Sequence, residues 1–511
     1  MKVASVAQMR QLEAGAERLG LPGPALMEIA GRAFADALAE RRPIDGRRVV
    51  VLVGPGNNGG DGLVAARRLA ALGARALVVP VGRRAAADAK LDLLADRGVP
   101  VLAPDDEWPD AALDAPFAGA EIVVDALLGI GRARPIGGLM QRLLQAAARA
   151  GAPIVGLDLP SGLDADSGKA DPATLRCAET ITLGAVKRGL LIGDGPRLAG
   201  EITPVEIGIP ARLADDLAVD WIDRQLAARL LPERDPTGHK GSFGRVLVVA
   251  GSARYVGAPL LAALGAARGG AGLVTLAAAG DVARGVAGRL PEATYLPLPG
   301  REEWIGPEAL PKLEEVAGEY RALVLGPGLG RAGSTVEFLE AALASQPLRR
   351  DTRWVVDADA LTLLSRMRGW HERLPDETVL TPHPGEMARL LGRERVPDDR
   401  IATATEMARR WRAHLVLKGA YTVVASPGGR GAVSPAANPA LATAGTGDVL
   451  AGAIGGLIGQ GAAPGDAAVA GVALHGMAGD LARRAFGRGG VLASDVAERL
   501  PEAAEALRNG R

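Results

Sequence analysis

The segment Asn438–Gly452, NPALATAGTGDVLAG, joins a small polar turn, one carboxylate and the start of an apolar run. Gly445, Thr446 and Gly447 form the turn, Asp448 follows at once, and from Val449 the sequence reads as a helix, VLAGAIGGLI. A glycine turn opening a helix aims backbone N–H groups outward, and the helix dipole adds positive charge there, which makes an anion hole. Asp448 on its lip would repel phosphate, so it suits a base for a hydroxyl attacking that phosphate. An ordinary helix start with Asp in its first turn carries the same letters. Other polar clusters at strand ends in the same half favour chemistry.

Those clusters recur along the chain. GPGNNGGDG (residues 54–62) follows the run RVVVLV and precedes a helix, and Gly54, Gly56 and Gly59 fit G-x-G-x-x-G. The dinucleotide fingerprint also wants an acid after the next strand, where this chain has VPVGRR. Asn57, Asn58 and Asp61 instead crowd the loop with oxygens suited to a hard cation. Asp125 and Asp158 each end a buried apolar run, and a buried carboxylate needs a cation or several donors. In the second half, Ser252 and Tyr255 are the polar members of loop 251–259. Gly328, Gly330 and Gly333 repeat the glycine pattern and read as a close backbone approach to a ligand. Asp357 and Asp359 sit at a strand end, and His383 stands between two prolines with Glu386 on the helix that follows. Lys418–Gly419 separates two strands, where a lysine can meet phosphate.

The elements that position these residues alternate strand and helix in both halves, which predicts an α/β fold with open, right-handed parallel sheets. In such sheets ligands sit beyond the carboxyl ends of the strands, where the polar clusters fall. With 511 residues the chain exceeds one ordinary core. A proline- and charge-rich stretch, residues 208–238, marks a boundary near residue 215. Hydrophobic residues at 48% and charged ones at 23% predict a soluble globular protein, not a disordered one. The balance of 59 basic and 59 acidic residues supplies no field to gather nucleic acid or acidic membranes. Aromatics at 3% leave few stacking platforms for single strands. The lone cysteine, Cys177, excludes an internal disulfide and suits a reducing compartment. The first twenty residues lack the apolar core of a signal peptide, and no apolar run is long enough to span a bilayer. A cytoplasmic homo-oligomer, without nucleic-acid or membrane partners, is the expectation.

GPGNNGGDG, VVDALLGIG and GLDLPSGLD, in that order, resemble the NAD(P)H-hydrate epimerase domain over roughly residues 1–210. The resemblance implies a Rossmann-like three-layer sandwich that binds hydrated NADH or NADPH beside a potassium ion. Asn58, Asp125 and Ser161 match the potassium ligands. Asn57, Asn58, Gly59, Gly60 and Asp61 match substrate contacts, as do Gly129, Ile130, Gly131, Arg132, Ala133, Arg134, Pro135 and Asp158. Asp158 is the acid/base that the resemblance implies for inverting the carbon bearing the added hydroxyl.

HKGSFG, GSARYVGAP, GPGLG, DADAL, TPHPGE, LKGAYT and NPALATAGTGDVLAG resemble the ADP-dependent NAD(P)H-hydrate dehydratase, of the ribokinase-like superfamily, over about 220–505. The implied domains are therefore 1–214, the epimerase, and 215–511, the dehydratase. The implied reaction phosphorylates the hydroxyl of the S hydrate with ADP and magnesium, and loss of phosphate restores NAD(P)H. Lys418, Gly419, Ala420, Tyr421 and Thr422, with Asn438, Thr443, Ala444, Gly445, Thr446 and Gly447, match the nucleotide contacts. Gly328, His383 and Asp448 match the substrate contacts, with Asp448 as general base. Asp357 and Glu386 are candidate magnesium partners through water. Ala440 departs from the pattern, standing where the family often has glycine. Two rival readings are a ribokinase-like small-molecule kinase and a chain whose first half is a non-catalytic binding module.

Overall fold

RVVVLV becomes the strand Arg48–Val53, its last five residues all buried. Burial on both faces is what a parallel sheet flanked by helices demands of a strand. The computed structural model describes residues 1–82, 89–131, 135–301 and 304–510, and the chain divides into two units, Met1–Trp221 and Ile222–Arg511. The first unit contains β1 (Val3–Ala4), α1 (Val6–Arg18), α2 (Gly23–Arg41), β2 (Arg48–Val53), α3 (Asn57–Ala71) and β3 (Arg75–Pro80). It continues with β4 (Ile122–Ala126), β5 (Ile154–Leu157), β6 (Glu179–Leu183), β7 (Val186–Lys187), β8 (Glu201–Val205) and β9 (Val219–Trp221).

Six of these strands form a parallel sheet in the order β3-β2-β4-β5-β6-β8. Alternation along β2 splits its side chains between two apolar layers. Val49, Val51 and Val53 enter one with α1, α2 and α3, and Val50 and Leu52 enter the other with helix Gly138–Arg149. The result is three layers. The connections leave β2 in one direction to β3 and in the other to β4, which makes the carboxyl end of β2 the topological switch point. Backbone packing there requires glycine: a Cβ on Gly54 would lie 1.8 Å from the Leu127 carbonyl oxygen, and one on Gly59 1.9 Å from that of Gly54. These contacts seat the start of α3 against the end of β4.

The second unit adds β10 (Arg245–Val249), β11 (Leu273–Ala279), β12 (Thr294–Leu298), β13 (Gly300–Arg301), β14 (Trp304–Ile305) and β15 (Ala322–Leu325). After these come β16 (Arg353–Val356), β17 (Val379–Leu380), β18 (His414–Leu417), β19 (Val423–Ala425) and β20 (Gly431–Val433). The order β12-β11-β10-β15-β16-β17-β18 is parallel throughout, and β19 and β20 extend it antiparallel. Against it lies helix Thr446–Gly459, packed on helix Gly257–Arg268. The two approach backbone to backbone: a Cβ on Gly452 would lie 2.0 Å from the Ala262 carbonyl oxygen. That contact explains the glycine-rich letters of VLAGAIGGLIG. Among the described residues, no helix is long and apolar enough to cross a membrane.

Candidate active sites

In the first unit a cavity of about 690 Å³ opens where β2, β4 and β5 end, lined by Asn57, Asn58, Asp61, Gly129 and Asp158. Asp125, in the body of β4, is fully buried. The Ser161 hydroxyl donates to its Oδ1 at 2.5 Å, the Ser161 amide to its Oδ2 at 2.8 Å, and the Leu127 amide to Oδ1 at 3.3 Å. Burial raises the Asp125 carboxyl, against the lowering effect of the Ser161 bonds. Every one of these donors is neutral. The Leu128 amide donates to the Ser161 hydroxyl at 2.9 Å, and the next residue, Gly129, packs on Asn58, 3.2 Å from its Oδ1 to a Cβ built on the glycine. Asn58 is buried and its Nδ2 has no hydrogen-bond partner among the described residues. Thus Asp125 and Ser161 are bonded directly, and segment Leu127–Gly129 links them to Asn58. Oxygen donors around one buried carboxylate with no basic side chain among its donors fit a monovalent cation.

Asp158 lies one residue past β5 with φ 70°, a left-handed backbone that a residue other than glycine adopts only under constraint. Its Oδ1 accepts from the Leu183 amide at 3.0 Å, the Thr182 hydroxyl at 3.2 Å and the Lys187 ammonium. Burial, followed by the Asp158 charge, pushes Asp61 well above the ordinary carboxylate range. Glu13 of α1 also lines the cavity; burial raises it while Lys187 holds it back. Not all expected contacts reach the cavity. Gly59 serves backbone packing, and a Cβ on Gly60 would lie 2.6 Å from the Met27 sulfur. Ile130 and Gly131 line the cavity, Pro135 is exposed, and Arg132, Ala133 and Arg134 lie outside the described residues. Sequence reasoning missed Lys187 and Glu13.

In the second unit the helix begins at Thr446, three residues earlier than the sequence suggests. Gly445, at φ 89°, is its N-cap, so Thr446, Gly447 and Asp448 belong to the first turn. The reason is that the Thr446 hydroxyl turns back onto the carbonyls of Leu441 (2.8 Å) and Thr443 (2.9 Å), closing the loop beneath the helix. Among the described residues no side chain caps this start; the Thr446 amide donates to the Thr443 carbonyl at 3.3 Å, which leaves the next amides, of Gly447 and Asp448, to a ligand. Lys418 and Asp357 lie beneath the turn, with Nζ 2.7 Å from Oδ1. A Cβ on Gly447 would be 3.1 Å from Lys418 Nζ and 3.9 Å from Asp357 Oδ2. That second oxygen is buried and has no hydrogen-bond partner among the described residues. Burial, then the Asp357 charge, pushes Asp448 up to about 7. Burial likewise carries Glu386 to about 7. For Lys418 burial acts downward, but the charges of Asp357 and Glu386 outweigh it and raise the ammonium.

His383 caps helix Pro384–Leu390: its Nδ1 accepts from the Gly385 and Glu386 amides at 3.0 and 3.3 Å. An accepting Nδ1 carries no proton, so the ring is neutral with its hydrogen on Nε2, in keeping with a pKa lowered by burial and by Lys418. Gly328 takes φ 62° and its carbonyl accepts from the Ser252 hydroxyl at 2.8 Å. Loop Lys418–Thr422 is held from below by Arg400, which donates to the carbonyls of Leu417, Lys418 and Ala420 at 2.9, 2.7 and 2.7 Å. Asn438 has both ends of its amide engaged, donating to Asp480 at 3.0 Å and accepting from the Ala440 amide at 2.9 Å, so it shapes the loop. The Ala440 methyl is absorbed by the core. His475, another residue the sequence did not reveal, donates from Nε2 to the Thr446 carbonyl at 2.9 Å; burial pushes it down to about 4, so it is neutral. Among the described residues no three His, Cys, Asp or Glu side chains converge to hold a metal by themselves. Magnesium ordinarily completes its shell with waters and phosphates.

Two family models match the chain: YjeF-related protein N-terminus over residues 23–189 and NAD(P)H-hydrate dehydratase over residues 246–502. The bifunctional NAD(P)H-hydrate repair enzyme Nnr of Moorella thermoacetica is 39% identical, covering 98% of this chain and 96% of that protein. The protein of the same name from Thermofilum pendens is 37% identical, with 99% and 97% covered. A solved ADP/ATP-dependent NAD(P)H-hydrate dehydratase from Bacillus subtilis, co-crystallised with ATP/Mg2+, is 32% identical over 57% of this chain and 99% of its own, with a TM-score of 0.47. The likeness to the Moorella and Thermofilum proteins runs through nearly the whole length, and the chain belongs to the family of bifunctional NAD(P)H-hydrate repair enzymes.

Proposed function

We propose that the protein repairs hydrated NADH and NADPH in two steps, each performed by one unit. The first interconverts the R and S hydrates, and the second dehydrates the S hydrate with ADP as phosphoryl donor. The observation that carries this reading is Asp448, a carboxyl raised to about 7 on the first turn of an uncapped helix. A base of that strength takes the proton of the substrate hydroxyl as its oxygen attacks the terminal phosphorus. The turn amides and Lys418 hold the charge that builds on the phosphoryl oxygens. The phosphate then departs with the C–O electron pair, a proton leaves the neighbouring carbon, and the ring double bond returns. With ADP the other products are AMP and phosphate.

Magnesium, when bound, neutralises phosphate charge; Asp357, through its unpartnered Oδ2, and Glu386 would hold it, directly or through water. In the first unit Asp158 is the acid/base at the hydroxyl-bearing carbon, and Asn58, Asp125 and Ser161 would hold a potassium ion. That ion, when bound, supplies positive charge at the cavity edge. The test mixes both epimers of hydrated NADH with the protein, magnesium and ADP or ATP. Regenerated NADH, read by absorbance, with release of free phosphate supports the reading. A stable phosphorylated product without NADH would identify a small-molecule kinase instead.

A further inference from the structure

We propose that Lys187 is a specificity-determining residue of the first unit, gripping the added hydroxyl of the hydrate together with Asp158. The inference rests on the epimerase reading of that cavity. Lys187 ends the two-residue strand β7, held in register opposite Ala4 of β1, and its side chain is 1% exposed. A lysine so buried needs acceptors, and it has two: Asp158 Oδ1 and the Leu183 carbonyl, the latter at 2.5 Å. An ammonium carries three donors, so one N–H has no protein acceptor among the described residues. Asp158 is arranged in the complementary way. All three of its protein donors fall on Oδ1, which leaves Oδ2 unclaimed among the described residues. Both side chains line the same cavity. They therefore offer it one spare donor and one spare acceptor, side by side and fixed in place.

A hydroxyl is the group that answers such a pair, because it donates and accepts at once. The hydrates carry that hydroxyl and NADH does not. A site built to bond a hydroxyl leaves its own buried polar atoms unpaired when the analogue lacks it, so it rejects the analogue. Lys187 thereby lets the cavity pick out damaged dinucleotide from an excess of the intact form.

The experiment uses the full-length chain and measures two constants for epimerisation of the R hydrate: KM, and the Ki of NADH as competitive inhibitor. Lys187→Met should raise KM for the hydrate by about 10- to 100-fold, the loss of one hydrogen bond to a charged group, and leave the Ki of NADH unchanged. Lys187→Arg, which keeps a donor, should recover part of the loss. Thr182→Val, which removes a donor from Asp158 Oδ1 alone, should leave the ratio of the two constants as in the wild type. Retained dehydration of the S hydrate reports that the second unit of each variant is folded, and a thermal melt reports the first. If KM and Ki rise together, or neither moves, in Lys187→Met, Lys187 is only structural and the proposal falls. If the wild-type chain does not interconvert the epimers at all, the epimerase reading itself fails.

Discussion

Burial and the neighbouring Asp357 charge hold the Asp448 carboxyl near 7, where it is half-ionised at neutral pH and basic enough to take a hydroxyl proton. Dehydration should therefore fall as pH drops below about 7, and Glu386→Gln, which removes a negative charge that helps to raise Asp448, should move that limb to lower pH. Asp448→Asn keeps the shape and cannot accept the proton; a loss of ~10²–10⁴-fold in turnover is expected. Isothermal titration should still find nucleotide binding, and unchanged turnover would make Asp448 a mere helix-start residue. The same variant should be more stable above neutral pH. A carboxyl raised in the folded state binds more protons folded than unfolded, so its contribution is most favourable below about 4 and is lost as pH rises through about 7. After discounting for partial solvent screening, Asp448→Asn should gain about 1 kcal/mol at pH 8, read by urea melts. In the first unit, Asp125→Ala should abolish potassium activation of epimer exchange and leave S-hydrate dehydration intact. Dependence on potassium that survives this change would remove Asp125 from the ion's ligands.

At the scale of elements, helix Thr446–Gly459 positions the turn because glycine lets it lie directly on helix Gly257–Arg268. A Cβ on Gly452 would stand 2.0 Å from the Ala262 carbonyl oxygen. Gly452→Val should cost ~1–3 kcal/mol of second-unit stability by overpacking, seen in a denaturant melt, and impair dehydration while sparing epimerisation. Wild-type behaviour would mean the two helices separate freely. Much of this scaffold was legible in the letters. Short apolar runs such as RVVVLV, rich in β-branched residues and bounded by turn residues, read as strands buried on both faces, and polar residues at their ends mark the ligand side. Lys187 was not legible. It sits in AVKRG, which looks like any exposed strand end, and its partner Asp158 lies 29 residues away in sequence. Only the pairing of β7 with β1 turns it inward. Glu13 was hidden for a related reason, since the polar face of α1 lines a cavity where such a face ordinarily meets water.

At the scale of the whole molecule two chemistries are housed in two units, with Asp158 in Met1–Trp221 and Asp448 in Ile222–Arg511. Residues in separate units that share no partner should fail independently. The most direct measurement gives an equal mixture of R and S hydrates of NADH to the wild type, Asp158→Ala and Asp448→Asn, with magnesium and ADP, at a pH where spontaneous epimerisation is slow. NADH is followed by absorbance and the epimers by chromatography. The wild type should restore the full mixture. Asp158→Ala should restore about half at the wild-type rate and then slow at least ~10²-fold, as expected for loss of an acid/base group. Asp448→Asn should restore none and still interconvert the epimers. Full restoration by Asp158→Ala at the wild-type rate, or loss of epimer exchange in Asp448→Asn, would contradict the account.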